Sequence, residues 1–326
     1  MSKIKFSIIG GGWRSEFYLR IAKLLPDTFE VVAICIRNEI KAKEIREKYN
    51  CNIVKSIDEI LSVPCDFIVN CTNKEDISSI SIELAKKGVP VLSETPAIEQ
   101  HNYNNSLKIQ VAEQYHLLPM NVALQKIIDM GIIGDVNYVE IASAHDYHAM
   151  SLIRKFLKVN SAPINVVSAE FDTKVLSTHG RYGETDDKKI LTTLQTVKIF
   201  DFGGKKAVYN FSHEMYFSPI RKKHILIRGA RGEIENETVR YFNTDNQFCE
   251  TKIARRTCGD LDGLFNEAIT FENKLLYRSP FKGTRISDEE EAIAMCLVKM
   301  KEYTQNGKAF YSFNDAVLDY TFYHLK

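Results

Sequence analysis

The sequence has no hydrophobic run long enough to cross a bilayer, no surplus of one charge and no paired cysteine motif. Its apolar runs fall short of the roughly 18 residues that a transmembrane helix needs. Lysine and arginine number 43 against 42 aspartates and glutamates, so nothing in the composition points to a nucleic-acid or acidic-membrane partner. The seven cysteines form no CxxC pair or zinc-finger spacing. These absences favour a reduced, cytoplasmic protein.

What is present is a chain of 326 residues, enough for about two domains with their own cores. The short apolar stretch at the N-terminus runs directly into glycines without a small-residue cleavage site, so we expect no secretory signal. Residues 1–120 alternate short apolar strands with helical patterns, which predicts a parallel sheet covered on both faces. Residues 121–326 carry longer, half-polar strands and then return to helices.

The expected fold class is therefore α/β, with an N-terminal Rossmann dinucleotide-binding domain and a C-terminal α+β domain. The second domain is expected to have an open, mostly antiparallel sheet, because its strands alternate apolar and polar residues. The C-terminal helices could pack back on the first domain. Within that first domain the pattern predicts strands over residues 4–9, 29–36, 67–71 and 89–92, and a helix over residues 107–115.

A glycine-rich loop follows the first predicted strand and precedes a helix. Gly10 would allow the tight turn, and Gly12 would let the backbone approach a pyrophosphate held by the helix N-terminus. Ser15 occupies the third position of this motif, which is usually glycine or alanine. The alternative is an ordinary glycine-rich turn between a strand and a helix. We expect Gly10, Gly12, Trp13 and Arg14 to contact a nicotinamide cofactor.

The end of the second strand indicates which dinucleotide is bound. An NAD enzyme usually has an acidic residue there for the ribose 2′-hydroxyl, but this chain has Ile36 followed by Arg37. Without the acid a 2′-phosphate is not repelled, and the guanidinium groups of Arg37 and Arg14 could bind it. The sequence thus favours NADP over NAD, unless Arg37 is only a solvated residue at a helix start.

With these residues placed, the chain resembles the Gfo/Idh/MocA oxidoreductases, the family of glucose–fructose oxidoreductase and inositol dehydrogenase. Four segments carry the resemblance: residues 10–12, 66–73, 88–96 and 131–136. It implies a Rossmann domain, dimers or tetramers formed through the second sheet, and hydride transfer between NAD(P) and a sugar, cyclitol or related alcohol or carbonyl compound. Further cofactor contacts are expected at the ends of two strands, from Cys71, Thr72, Asn73, Glu94, Thr95 and Pro96.

Two family residues are absent. Thr95 stands where the family has a lysine that touches cofactor and substrate; a hydroxyl can donate a hydrogen bond but lacks the positive charge that stabilises an alkoxide. The resemblance matches His148 to the family's catalytic histidine and Asp146 to the preceding acid. The acid expected three residues after the histidine is Ser151. The family's usual proton relay is therefore incomplete in this chain.

His145, Asp146, Tyr147 and His148 form the densest group of ionisable side chains before the second sheet. Histidine is the natural acid–base group at neutral pH, and Asp146 could orient one imidazole. Alternatively, the group is a buried helix cap with Asp146 as N-cap. A zinc site built on the two histidines lacks an evident third ligand, so no metal is expected.

Several basic side chains are candidates for binding a substrate. Residues 177–183 predict a donor-rich loop between two strands, which would either shape a pocket or be mobile. Arg154 and Arg221 could bind an anionic group or be solvated surface residues. The substrate-binding candidates are His145, His148, Arg154, His179, Arg181 and Arg221.

Two functions fit these features. The leading one is an NADP-preferring oxidoreductase with His148 as the proton donor or acceptor, Thr95 as a hydroxyl donor and a homodimeric or homotetrameric assembly. The other is a cofactor-binding sensor or regulatory protein that kept the fold and lost the relay, as the missing lysine and acid would suggest.

Overall fold

The computed structural model describes residues 3–259 and 265–325, and the chain divides into two compact units. The first unit comprises Met1–Pro119, Thr257–Glu267 and Ser279–Tyr320. The second comprises Met120–Arg256, Ala268–Arg278 and Thr321–Lys326. Among the described residues, no helix combines the length and the apolar character needed to span a membrane.

The first unit is built on a six-stranded sheet with the order β3-β2-β1-β4-β5-β6, in which every pair is parallel. This order is that of a dinucleotide-binding Rossmann fold, which confirms the predicted fold class. The elements up to its last strand are β1 (Ile4–Ile9), α1 (Trp13–Leu24), β2 (Phe29–Cys35), α2 (Glu39–Tyr49), β3 (Ile53–Val54), α3 (Ile57–Leu61), β4 (Phe67–Asn70), α4 (Ile77–Lys86), β5 (Val91–Ser93) and β6 (Ile109–Val111).

The second unit is built on an eight-stranded sheet with the order β14-β13-β12-β11-β7-β10-β9-β8. Among the described strands of this sheet, only β7 and β10 pair in parallel; the other pairs are antiparallel, as predicted for an open, mostly antiparallel sheet. Its elements are β7 (Val136–Ala142), α6 (Asp146–Leu157), β8 (Asn165–Gly180), β9 (Gly183–Asp201), β10 (Lys206–Ser212), β11 (His224–Gly229), β12 (Gly232–Glu235), β13 (Thr238–Phe242) and β14 (Phe248–Lys252).

The remaining elements connect or follow these sheets. A helix precedes the second sheet, three short strands form a sheet of the order β15-β16-β17, and two helices come last. They are α5 (Pro119–Asp129), β15 (Ala254–Cys258), β16 (Phe265–Phe271), β17 (Lys274–Arg278), α7 (Asp288–Asn306) and α8 (Phe313–His324). Helix α7 begins with a capping box, in which Ser287 and Glu290 satisfy each other's backbone N–H groups.

The core of the first unit forms because its strands are buried on both faces. Phe6 and Ile8 of β1 pack with Ile293 and Leu297 of α7 in one cluster, while Ile68 of the neighbouring strand packs in a second cluster on the other face. All four residues of β4 are buried. Such continuous burial explains why these strands read as uninterrupted apolar runs in the sequence.

Two local predictions were wrong. Residues 107–115, predicted as a helix, contain strand β6 and a 3₁₀ turn over Gln114–Leu117, because β6 pairs with β5 and Val111 donates to the carbonyl oxygen of Tyr311 at 2.9 Å. Residues 177–183, predicted as a loop, belong mostly to a long hairpin in which Gly180 pairs with Gly183. In both places strand pairing decided the structure, and a local pattern does not encode pairing.

Candidate active site

Gly10 ends β1 in a conformation that only glycine adopts readily. Its φ is +114°, and a Cβ atom at this position would lie 2.5 Å from the carbonyl oxygen of Cys71. The buried Ser15 donates from its hydroxyl to the carbonyl oxygen of Gly10 at 2.8 Å. The serine at the third motif position thus ties the loop to the first turn of α1, and the glycine at the first position lets two strands meet closely.

Gly12 is glycine for a different reason. Its φ of −78° suits any residue, and a Cβ atom there would meet no protein atom within 4 Å. It is the N-cap residue of α1, and no side chain caps the first N–H groups of that helix. Free N–H groups and the helix dipole attract an anion. The residues present therefore fit a dinucleotide pyrophosphate, which would use the space that a larger side chain would fill.

The first turn of α1 is joined to the turn after β5 by a buried polar group. Arg14 Nε lies 2.9 Å from a carboxylate oxygen of Glu94, and the hydroxyl of Tyr18 donates to the same oxygen. Burial and the carboxylate raise the pKa of Tyr18 well above its ordinary value, so the phenol keeps its proton. Glu94 is 5% exposed, and through Arg14 and Tyr18 it fixes the two segments together.

Arg14 has a second carboxylate partner. Arg14 also pairs with Glu289 at 3.4 Å, so two carboxylates already neutralise the guanidinium that was considered for a 2′-phosphate. The adjacent Trp13 is 46% exposed, and its ring packs edge-on against Phe17. Trp13 is accessible beside the glycine loop, whereas Arg14 is a positioning residue for that loop.

The turn after β4 is held by the buried side chain of Asn70. Its carboxamide oxygen accepts from the N–H and the hydroxyl of Thr72, at 3.2 and 2.9 Å. Its amide group donates to the carbonyl oxygen of Ile77 and to the hydroxyl of Ser81. Cys71 and Thr72 are half-buried and Asn73 is exposed, so this turn stands at the carboxyl edge of the sheet, where ligands of open α/β sheets bind.

The turn after β5 lies at the same edge of the sheet. Glu94 donates its N–H to the carbonyl oxygen of Asn70 at 3.0 Å, and the peptide bond between Thr95 and Pro96 is cis. Pro96 is buried, while Thr95 is half-buried. Thr95 therefore lies, partly accessible, at the edge of the sheet where β1 also ends and the glycine loop begins.

The end of β2 carries no acid. Ile36 is buried, and its side chain lies 3.1 Å from the point that a Cβ of Gly11 would occupy, so the isoleucine fills the space beneath the loop. Arg37 follows it and is exposed. The side chain of Asn38 then caps α2 by accepting from the N–H of Lys41 at 3.0 Å. Arg37 is thus a solvent-facing cation at the position expected for the adenosine ribose.

In the second unit, one edge of the large sheet gathers the ionisable side chains. Parallel strands β7 and β10 both end at this edge, and antiparallel β11 begins there. His145 follows β7, and Tyr216 lies in a 3₁₀ turn (His213–Tyr216) that follows β10. The Tyr216 hydroxyl accepts from the backbone N–H of His145 at 3.0 Å and hydrogen-bonds to its Nδ1.

The contact with Tyr216 limits the hydrogen bonding of His145 to two arrangements. When the hydroxyl donates to Nδ1, the neutral imidazole carries its proton on Nε2; when the hydroxyl accepts from Nδ1–H, Nε2 is an acceptor. Burial, together with the neighbouring His148, lowers the pKa of His145 well below its ordinary value. The ring is therefore neutral at neutral pH, and in the first arrangement it can donate a hydrogen bond through Nε2.

Asp146 has an unusual backbone conformation and two tyrosine partners. Its φ is +45°, which is uncommon for a residue other than glycine and is found mainly where surrounding contacts impose it. Tyr209 donates to its carboxylate at 3.2 Å, and Tyr323 hydrogen-bonds to the same side chain. Burial and the Asp146 carboxylate raise the pKa of both tyrosines, so they stay protonated. Asp146 thus binds tyrosines, while Tyr216 is the residue that orients His145.

His148 lies on the first turn of α6, beside His145. The two ring centroids are 4.8 Å apart, with the rings nearly perpendicular, and the Tyr147 ring lies 4.5 Å from that of His148. His148 is 5% exposed, and Ser151 donates from its hydroxyl to the His148 carbonyl oxygen at 2.8 Å. Ser151 therefore holds the helix turn and supplies no second acid.

The other substrate-binding candidates have varied surroundings. Arg154 is buried on α6, with its guanidinium over the ring of Phe322 at 5.8 Å. Arg181 lies over the ring of Phe217, the residue that directly follows the 3₁₀ turn, at 5.9 Å from the ring centroid. Arg221 donates to the carbonyl oxygen of Lys174 on β8. His179 hydrogen-bonds to Thr178 near the hairpin tip.

Sequence reasoning missed several residues of this group because they come from a strand, a turn and a helix that are distant in sequence. They are Tyr209, His213, Tyr216 and Tyr323. A pattern in the sequence does not report which strands pair, so no local signal identified them. Across residues 3–259 and 265–325, no group of three or more His, Cys, Asp or Glu side chains is arranged to hold a metal ion.

The comparisons with known proteins agree with this architecture. Residues 4–121 match the model of an oxidoreductase family with an NAD-binding Rossmann fold, Gfo/Idh/MocA. No curated protein matches the chain. Solved structures do match it, at identities that show the fold alone.

Three of these structures cover nearly the whole chain. An oxidoreductase from Agrobacterium radiobacter, in complex with NAD+, L-tartaric acid and magnesium, is 12% identical (TM-score 0.67; 98% of this chain, 94% of that chain). A levoglucosan dehydrogenase in complex with NADH and levoglucosan is 16% identical (0.68; 98% and 95%). A myo-inositol dehydrogenase from Corynebacterium glutamicum is 14% identical (0.57; 98% and 94%). The match of residues 4–121 to the family's NAD-binding Rossmann domain thus confirms the resemblance to the Gfo/Idh/MocA oxidoreductases over that part of the chain.

Proposed function

We propose that the protein is an NADP-preferring oxidoreductase that acts on a sugar, a cyclitol or a related alcohol or carbonyl compound. The observation that carries the proposal is Gly12, a glycine with ordinary backbone angles and open space where its side chain would be, at an uncapped helix N-terminus. Solved structures of similar fold include a levoglucosan dehydrogenase with NADH and levoglucosan, and an oxidoreductase with NAD+, L-tartaric acid and magnesium.

The bound nicotinamide would supply the acceptor or donor of a hydride. This chain's residues would manage the proton. When an alcohol is oxidised, His148 takes the hydroxyl proton as the carbon gives up its hydride; in the reverse direction it returns the proton to the oxygen. His145, neutral and fixed by Tyr216, donates a hydrogen bond from Nε2 to that oxygen, and Thr95 is a second hydroxyl donor. Cys71, Thr72, Asn73 and Pro96 line the cofactor side.

Turnover separates this function from the alternative one, a catalytically impaired sensor of the same fold. Thr95 and Ser151, in place of a lysine and an acid, favour the sensor; the oriented His145 and the adjacent His148 favour the enzyme. We expect NADPH oxidation, or NADP+ reduction, with at least one member of a panel of sugars, cyclitols and their keto derivatives. Tight cofactor binding without turnover across the panel would instead support the sensor.

The proposed preference for NADP rests on two residues at the end of β2. Ile36 occupies the position where an NAD enzyme usually has an acidic residue, and the next residue, Arg37, is an exposed cation. We expect NADPH to bind more tightly than NADH in a fluorescence titration. Arg37→Gln should weaken NADPH binding by about tenfold to a hundredfold, the range for losing a charged hydrogen bond, and leave NADH binding unchanged. Arg46→Gln, an exposed arginine at the far end of α2, is the matched control. Equal or tighter NADH binding by the unaltered protein would refute the preference.

We also propose a homodimer or homotetramer formed through the second sheet. On one face of β8 and β9, Val167 pairs with Ile199, and these side chains are 55% and 44% exposed. Phe171, on the same face, is 49% exposed. Exposed apolar side chains that adjoin one another on a sheet face are typical of protein interfaces.

A further inference from the structure

We infer that the substrate is an anion, a sugar or cyclitol derivative with a carboxylate or phosphate group, and that Lys223 binds the charged group. The inference rests on the proposed function, since it concerns the substrate of that same site. It depends on cations that the structure gathers around the Tyr216 turn, beside the two histidines.

The first observation is the position of Lys223. Its ammonium lies 5.5 Å from the centroid of the Tyr216 ring, and the hydroxyl of that ring contacts His145. The lysine comes from the segment just before β11, so it belongs to the same edge of the sheet as the histidines. A positive charge therefore stands beside the residue that orients the proposed hydrogen-bond donor.

Two further cations come from the β8–β9 hairpin and from the segment that carries Lys223. Arg181, at the tip of the β8–β9 hairpin, lies over the ring of Phe217, whose centroid is 6.0 Å from that of Tyr216. Arg221, two residues before Lys223, reaches the carbonyl oxygen of Lys174. The turn itself carries one acid, Glu214. The repulsion between neighbouring cations such as Arg221 and Lys223 is relieved when an anion binds between them.

The second observation is the lack of carboxylate partners. In the described part of the chain, neither Arg221 nor Lys223 forms an ion pair, whereas other cations of the same sheet do. Arg240, for example, pairs with Glu233, Glu235 and Glu250, at 3.3, 3.0 and 2.8 Å. Within the described residues, the charges of Arg221 and Lys223 are thus not compensated by a carboxylate, as expected where a bound anion supplies the compensation.

The neighbouring Lys222 provides an internal control. Arg240 lowers the pKa of Glu235, and Lys222 and His224 add to that effect, so the charge of Lys222 acts toward the carboxylate of β12. Lys222 and Lys223 are both exposed and adjacent in sequence, but only Lys223 lies over the Tyr216 ring. Replacing each lysine separately removes one positive charge, beside the Tyr216 ring in one variant and toward the Glu235 carboxylate in the other.

The test compares charged and neutral compounds with the same skeleton in NADPH-linked assays: glucose, glucuronate and glucose 6-phosphate, and inositol with its monophosphate. We expect kcat/KM to be at least about tenfold higher for a charged member, and the better of the carboxylate and the phosphate identifies the group. Lys223→Gln should raise KM for that compound about five- to tenfold and change KM for the neutral parent less than about twofold. Lys222→Gln should leave both unchanged.

The inference and the proposed function fail in different ways. Turnover of neutral compounds with no advantage for charged ones overturns the inference and leaves the enzyme standing. Equal effects of the two lysine substitutions also overturn it. If nothing is turned over, the same compounds are titrated calorimetrically into the cofactor-loaded protein. Binding of a charged member that depends on Lys223 supports the anion site without catalysis, and its absence overturns the inference.

Discussion

Replacing Gly12 with alanine is expected to weaken cofactor binding by about tenfold to a hundredfold while leaving the protein as stable as before. The added methyl group meets no protein atom and needs no unusual φ, so the free energy of unfolding should change by less than about 0.5 kcal/mol. The methyl group does occupy the space through which a pyrophosphate would approach the first N–H groups of α1. Each charged hydrogen bond lost there costs about 1.5–3 kcal/mol.

Gly10→Ala is the matched control, with the opposite outcome. The added methyl group would lie 2.5 Å from the carbonyl oxygen of Cys71, where it has no room. The backbone φ of +114° alone should lower the free energy of unfolding of the alanine variant by about 1–3 kcal/mol. Thermal unfolding and NADPH titration of both variants make the comparison. A Gly12→Ala protein that binds NADPH as tightly as the unaltered protein would remove the main support for a dinucleotide at this loop.

Loss of the imidazole in His148→Ala is expected to lower turnover by about 10²- to 10⁴-fold, the usual contribution of a general acid or base. NADPH affinity should be unchanged, because the predicted cofactor contacts lie in the first unit. The buried ring of His148 packs beside His145 and Tyr147, so its removal could also disturb folding. His148→Gln, which retains a polar side chain, therefore accompanies it, with a thermal melt of each variant.

The decisive measurement is the pH dependence of kcat/KM. Both variants should lose the limb that reports the titration of the general base, whereas a purely structural role would lower the rate and keep the limb. His101→Ala, which changes an exposed histidine of the first unit, should retain both rate and profile. An unchanged rate in a folded His148→Ala protein would exclude His148 from the mechanism.

The sequence predicted the Rossmann half well because its signals are local. A buried strand, a glycine loop and a helix follow one another between Ile4 and Leu24, and each constrains its neighbour. Residues 107–115 defeated the same reasoning. Ile109 and Val111 lie in a short strand that forms because it pairs with β5. A 3₁₀ turn begins at Gln114, so the residues with the helical pattern do not form one continuous helix. Pairing between separate segments outweighed local propensity.

The candidate site was predictable in part for the same reason. His145, Asp146 and His148 adjoin in sequence and were found together, but the partners that orient them come from another strand and from the last helix. The helical period placed Arg154 on α6 without indicating that it faces the ring of Phe322. The sequence likewise gave no indication that Glu94 would be shared by Arg14 and Tyr18.

The tyrosines that hold the first turn of α6 bear on how the chain acquires its activity. Asp146 and Tyr209 are 63 residues apart, His145 and Tyr216 are 71 apart, and Lys198 reaches the carbonyl oxygen of Tyr323 across 125 residues. Loops of this length close late in folding, because the chain must lose conformational entropy before the contact between their ends can stabilise the fold. A chain still emerging from the ribosome thus has both histidines but lacks Tyr323, and the acid–base group matures only as the final helix docks.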